Sequence, residues 1–285
     1  MRLVLAFVGL SLSSAALAQT DPHSGHNMAA PLEQESAEEI GSVPAPAVPT
    51  DHAADTIFDP TEMAKARAAI RRENGGLPVS RISFELAEYQ ARRGSDGYRF
   101  EGEASSGGDI DRLTIKYEGE GTFGGALDDA ELQLLWSRAF APFWNLHAGI
   151  RYDAKPDPSR TYLSVGVEGF TPYLFKLAGT TFISDEGDVL LRAEGYYDQR
   201  ISQRVTLQPR IEVNFSAQDV PEIGIGAGLS RFEAGLRLRY EIKRELAPYM
   251  GIEWVRETGN TARFARAAGE DPSVTNFVFG IRAWF

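Results

Sequence analysis

The chain has no cysteine in its 285 residues, only four histidines and four methionines, and few basic residues relative to acidic ones. Without cysteine, disulfides are excluded and the fold must hold by hydrogen bonds and packing alone. Lys and Arg total 29 against 40 Asp and Glu, a net charge of −11 with pI about 5.0. That balance argues against a nucleic-acid partner, since phosphate binding needs a basic surface. Beyond a short apolar run at the very start, no stretch approaches eighteen consecutive apolar residues, so helical membrane spans are excluded. Mean hydropathy is slightly polar although 43% of residues are hydrophobic. A β-barrel shows that combination, because only alternate residues face lipid.

What is present begins with an export signal. Arg2 supplies the positive end, Leu3 to Leu17 is a short apolar run, and Ala16-Leu17-Ala18 is an A-x-A cleavage site, so residues 1–18 read as a signal peptide and Gln19 as the mature start. Residues 19–77 read as a low-complexity arm. It has few large apolar residues, an acidic patch (Glu33, Glu35, Glu38, Glu39) and the extended spacer Pro44-Ala45-Pro46-Ala47-Val48-Pro49. So little burial cannot offset chain entropy, and most of the arm is expected to be disordered. One short helix is expected near 60–72, with Asp59 as N-cap, Pro60 at the first position, Glu62 at the capping-box spacing and Gly75-Gly76 as the stop. Its basic residues Lys65, Arg67, Arg71 and Arg72 form either a solvated face or a surface for an acidic rim.

From Arg81 the texture changes to alternation with a period of two, broken by turn signals. Val205, Leu207, Pro209, Ile211, Val213 and Phe215 alternate with Thr206, Gln208, Arg210, Glu212 and Asn214; similar runs centre on Leu146, Leu191 and Leu236. Roughly twelve strands result. The last, Asn276 to Phe285, has Phe277, Phe279, Ile281, Ala283 and Phe285 on one face, and resembles the C-terminal strand of a bacterial outer-membrane barrel. Pairing it with a first strand near Ile82–Leu86 would remove exposed edges.

The links separate a barrel from a sandwich. Short ones fall at Ser106-Gly107-Gly108, Ala141-Pro142-Phe143, Thr171-Pro172-Tyr173, Gln199-Arg200-Ile201 and Lys243-Arg244-Glu245; the alternate links include long ones at 153–160, 216–230 and 256–273. Such asymmetry is that of an outer-membrane barrel. The expected fold is therefore all-β, an antiparallel transmembrane barrel of about 12 strands over 78–285, in the outer membrane of a Gram-negative cell, with the arm in the periplasm. Pro142-Phe143, Pro172-Tyr173 and Pro248-Tyr249 are expected to place aromatics in an interfacial girdle, and Pro209 to make a bulge or ladder gap. The inward set is highly charged: Glu118, Glu120, Glu131, Arg151, Glu168, Lys176, Arg192, Glu194, Arg210, Glu212, Glu233, Arg237, Arg239, Glu241, Glu253 and Arg282. Mixed signs point to a lumen closed by ion pairs, with a charge-lined conduit as the other reading.

Metal donors are the one chemical signal. His23, His26 and Met28 lie within six residues in the arm, beside Asp21, with His52 and Met63 further on. Imidazole with thioether suits copper in either oxidation state. An incidental His-containing tail is the alternative. Catalysis is not expected: a hydrolase needs a Ser/His pair with an orienting group, and His147, the one histidine beyond the arm, has no such partner in the sequence.

Several ordered segments then resemble the copper resistance protein B family of bacterial outer-membrane proteins. They are Gly107–Leu113, Glu118-Gly119-Glu120, Ala148–Asp153, Leu207–Arg210, Gly235–Ile242, Ala247-Pro248-Tyr249 and Gly280–Phe285. Asp21–Met28 resembles one copy of the Met- and His-rich repeats such proteins carry after the signal. The resemblance implies an outer-membrane barrel serving copper resistance, with copper ions as cargo, sequestered or exported, and a periplasmic copper oxidase or other copper-resistance protein as partner. A general porin or structural barrel without a metal role is the alternative.

Overall fold

The structure is a computed structural model that describes residues 52–74 and 78–285. Helix α1 (Pro60–Asn74) is begun by Asp59, whose Oδ1 accepts the backbone N–H of Thr61 at 2.9 Å and of Glu62 at 3.0 Å. Glu62 does not reach back to the cap; its carboxylate pairs with Lys65 at 2.9 Å.

The remainder is sheet. Strands β1 (Val79–Ala91), β2 (Gly97–Gly107), β3 (Asp111–Thr122), β4 (Leu127–Ala141), β5 (Trp144–Lys155), β6 (Arg160–Phe170), β7 (Lys176–Ser184) and β8 (Val189–Tyr196) each pair antiparallel with the next. The two-residue β9 (Gln199–Arg200) and then β10 (Val205–Ser216), β11 (Gly228–Tyr240), β12 (Leu246–Glu257) and β13 (Ser273–Trp284) complete the set. β13 pairs with β1, from Ser83↔Trp284 to Ala91↔Phe277, and β10 pairs with both β8 and β11. The twelve long strands therefore close into an antiparallel barrel with no free edge, the form a membrane demands of sheet. Beyond β13, the Phe285 N–H bonds Ile82 O at 2.8 Å and Ile82 N–H bonds Phe285 O at 3.0 Å.

The wall is inverted relative to a water-soluble sheet. Along β12 the outward series is Met250, Ile252 and Trp254, while Tyr249 and Glu253 point inward and are buried. Along β11, Leu236 and Leu238 face out; Glu233, Arg237 and Arg239 face in. Apolar side chains with nothing over them on a closed barrel are the lipid-facing surface.

Three features depart from the sequence reading. Tyr249 is not in the girdle, because β12 starts at Leu246 and alternation turns Tyr249 inward, its hydroxyl donating to Glu88 at 3.0 Å. Phe143 and Tyr173 do sit exposed on their turns. Glu241 lies one residue beyond the end of β11, its N–H bonding Arg204 O, and is half-buried rather than one of the strand's buried inward charges. The link 156–159 is a tight turn between β5 and β6, so the long links are 217–227 and 258–272, the latter holding helix α2 (Gly259–Ala268). The expected gap at Pro209 is present: β8 stops opposite Arg210, β9 resumes opposite Leu207, and Tyr197 N–H bridges the break to Pro209 O.

Candidate functional site

The lumen concentrates the chemistry. Alternation along the twelve long strands sends at least one charged side chain inward from each, a lysine (Lys176) on β7 and an Arg or a carboxylate on the others, and the ring geometry brings distant strands face to face. Arg210 on β10 donates to Glu101 on β2 at 2.7 Å, Arg192 on β8 to Glu118 on β3 at 3.4 Å, and Arg231 on β11 pairs with Glu120 on β3 at 3.6 Å. Each pair joins strands five places apart in a ring of twelve, so the bonds cross the lumen rather than follow its wall. Arg99 on β2 completes the belt, bonding Glu118 at 2.6 Å and Glu233 on β11 at 2.9 Å.

On one side of the belt, Arg237 holds Glu88 at 3.0 Å and Glu253 at 2.8 Å, and Tyr249 adds its hydroxyl to Glu88. Arg237 lies flat because two neighbours have no side chain. A Cβ on Gly251 would stand 2.4 Å from Leu236 O and 3.0 Å from Arg237 Cα, and one on Gly235 would stand 2.6 Å from Arg237 Nη1. The cavity lined by Glu85, Gln208, Arg237, Arg239, Tyr249 and Arg282 has a volume of about 10 Å3, room for a single water. On the other side, Arg151 and Arg192 both bond Glu131 at 2.9 Å and flank the Phe182 ring, with the Arg151 guanidinium 4.4 Å from its centroid. Phe182, Tyr162 and Leu190 form an apolar cluster against which Ile225, from the 217–227 link, packs. That link is held by Gln218 to Asp188 at 2.8 Å, by Arg160 to Glu222 at 3.7 Å, and by the Gly226 N–H to Thr261 of α2 at 2.9 Å. It lies over the mouth at the end opposite the start of β1 and the end of β13. Its Asp219 carboxyl is held below the ordinary range by the Ala227 N–H at 2.7 Å and by the Asn260 amide at 2.8 Å.

Such an arrangement seals and stiffens. Arginine cannot be deprotonated, and its fork occupies the carboxylate lone pairs that a cation would need. Among the described residues no group of three His, Cys, Asp or Glu side chains is placed to hold a metal ion. His147 is buried in the lumen with Nε2 3.1 Å from Thr180 Oγ1, next to Lys116 and Glu168, which pair at 2.9 Å.

Of the donors singled out in the sequence, His23, His26 and Met28 lie outside the described residues. His52 is exposed ahead of a short 3-10 turn, and Met63 is half-buried on α1. Sequence reasoning missed Glu88, Arg99 and Glu101, the lumen's partners for Arg237, Glu233 and Arg210. Their signal was present, since Glu88, Gln90, Arg99, Glu101 and Glu103 hold the inward register of β1 and β2.

Comparison with known proteins adds the family. The model of "Copper resistance protein B precursor (CopB)" matches residues 79–285, the whole of the barrel. The Escherichia coli "Copper resistance protein B" is 37% identical over 97% of this chain and 94% of that protein. The "Copper resistance protein B homolog" of Pseudomonas syringae pv. tomato is 42% identical over 63% of this chain, which spans 60% of that relative. Among solved structures, the NanC porin has 14% identity and a TM-score of 0.48, over 72% of this chain and 99% of that one. The KdgM porin has 10% identity and a TM-score of 0.44 over the same shares. Likeness that remote says nothing about activity. The barrel match and the Escherichia coli relative place this outer-membrane chain in the copper resistance protein B family.

Proposed function

We propose that the chain serves copper resistance by capturing copper ions at His23, His26 and Met28, on the periplasmic side of the outer membrane, and sequestering them or handing them to export. Copper is then cargo, not a catalytic cofactor, and no catalysis is involved. The observation that carries this reading is the segregation of donors: two imidazoles and a thioether lie within six residues ahead of a barrel whose described lumen holds one histidine and no methionine. That set suits copper better than hard ions, which prefer oxygen ligands. The cross-lumen pairs favour an ion held at the barrel over one passing freely through it, and weigh against a general porin. A periplasmic copper oxidase or another copper-resistance protein is the fitting recipient, and outer-membrane lipid the surrounding partner.

The test is copper tolerance of cells carrying His23→Ala, His26→Ala and Met28→Ala together, with barrel assembly checked in the same cells. A drop towards the level of cells lacking the protein supports the reading. Unchanged tolerance with normal assembly sinks it.

A further inference from the structure

The rim at the α2 end carries mainly acidic groups, among them Asp96, Asp128, Asp157, Asp185 and Glu186, but one sector is cationic. On the lipid-facing side of β12 the series Met250, Ile252, Trp254 is continued by Arg256. Trp254 stacks edge-on against Phe232 of β11, ring centroids 5.6 Å apart, forming the aromatic edge of the apolar belt. Aromatic pairs at that height mark the membrane–water boundary, and Arg256 stands two residues, roughly 7 Å, beyond it. It therefore lies at headgroup level.

Arg256 lines an open cleft of about 310 Å3 together with Glu257, Thr258, Ala262, Arg266 and Ser273. Helix α2 overhangs this cleft, fixed by its buried Thr261, Ala262 and Ala265. Both guanidinia are exposed, and neither has an ion-pair or hydrogen-bond partner among the described residues. Ser273 Oγ accepts the Trp254 indole N–H at 3.1 Å, which leaves the serine hydroxyl hydrogen free to donate. One carboxylate, the half-buried Glu257, also lines the cleft, so two guanidinia stand there against a single acid, and Asp271 beside it is engaged by the Ser273 backbone N–H at 3.0 Å.

We propose that Arg256 and Arg266 form a binding site for the phosphate of a phosphorylated lipid headgroup in the leaflet at the α2 end of the barrel. Two unpaired guanidinium forks and a hydroxyl donor in a cleft open to the headgroup layer match a phosphate dianion, and arginine is the side chain suited to bidentate phosphate contacts. The site is independent of the copper reading, since it uses neither the arm nor the lumen.

The experiment uses the full-length protein in neutral detergent, with lipid retention read by native mass spectrometry. Probes are lipid A bearing two phosphates, its dephosphorylated form, and inorganic phosphate. Wild type is expected to retain the phosphorylated form with roughly tenfold or greater preference. R256A/R266A is expected to lose that preference while keeping the heat-dependent gel mobility of a folded barrel, and R256K/R266K to keep part of it. If the double alanine variant does not fold, R266Q alone, on the exposed face of α2, is expected to weaken retention. Wild-type preference in a folded R256A/R266A or R266Q protein overturns the proposal. Displacement of the lipid by equimolar inorganic phosphate overturns it too, because the cleft would then be a site for a free anion.

Discussion

The stretch before the barrel and the barrel itself divide the chain's chemistry in opposite ways. Residues 19–77 hold three of the four histidines and two of the four methionines. The barrel holds His147, engaged by Thr180 inside the lumen, and Met250, 57% exposed on the lipid face. Charge is organised differently as well. Lys65 pairs with Glu62 on α1 at the surface, both side chains about two-thirds exposed, where such a pair contributes little. In the lumen Arg99, Arg192, Arg210 and Arg237 are each shared between two or more carboxylates and shielded from solvent. A buried pair is hard to break, because removing one member strands the other's charge. The difference teaches that the barrel's polar interior is a structural core, which is why the proposed copper capture is assigned to the donors preceding it.

The comparison breaks most severely at Arg99. Arg99→Ala leaves Glu118 and Glu233 facing each other without their shared cation, and is expected to lower barrel stability by about 3–5 kcal/mol. Urea unfolding in detergent, followed by the gel mobility of the folded form, measures this. Next is Gly251→Val, which drives a side chain against Leu236 O and the Arg237 backbone; overpacking there is expected to cost about 1–3 kcal/mol and to release Arg237 from Glu253. In planar bilayers the wild type is expected to pass little current, and both variants more.

His147→Ala sharpens the contrast from the other side. It removes one hydrogen bond to Thr180, an expected loss of about 1 kcal/mol, and should leave copper tolerance unchanged. The smallest effect belongs to Asp219. A carboxyl held below its ordinary range contributes stability that is present above its unfolded pKa of about 3.9 and lost as the pH falls through its depressed folded value. Hydrogen exchange in residues 217–227 should therefore rise only in strong acid for the wild type, and already at neutral pH for Asp219→Ala.

How much of this was legible in the sequence depended on contrast between the two faces. β10 and β11 alternate apolar with polar and charged side chains, so that pair of strands could be read directly. β2 puts Gly102, Ala104 and Ser106 on its outward face, and the weak alternation hid Arg99 and Glu101 until their strand partners fixed the register. Tyr249 was misplaced because a Pro-aromatic pair signals a turn but not which way the next strand faces. Helix α2 had a signal in Ala- and Arg-rich residues ending at Gly269, whose φ of 85° serves as its C-cap. The cross-lumen bonds had none, since they join residues up to 134 positions apart in sequence, which only barrel closure brings together.

The most direct test of the central claim is a copper titration of the full-length protein in detergent, under reducing and oxidising conditions, for wild type, His147→Ala and the His23→Ala/His26→Ala/Met28→Ala variant. The account predicts that His147→Ala binds like wild type, that the triple variant loses its tightest copper, and that wild-type binding weakens as the pH drops below about 6.5, where protons compete for imidazole. Full-strength copper binding by the triple variant, or its loss in folded His147→Ala, would contradict it.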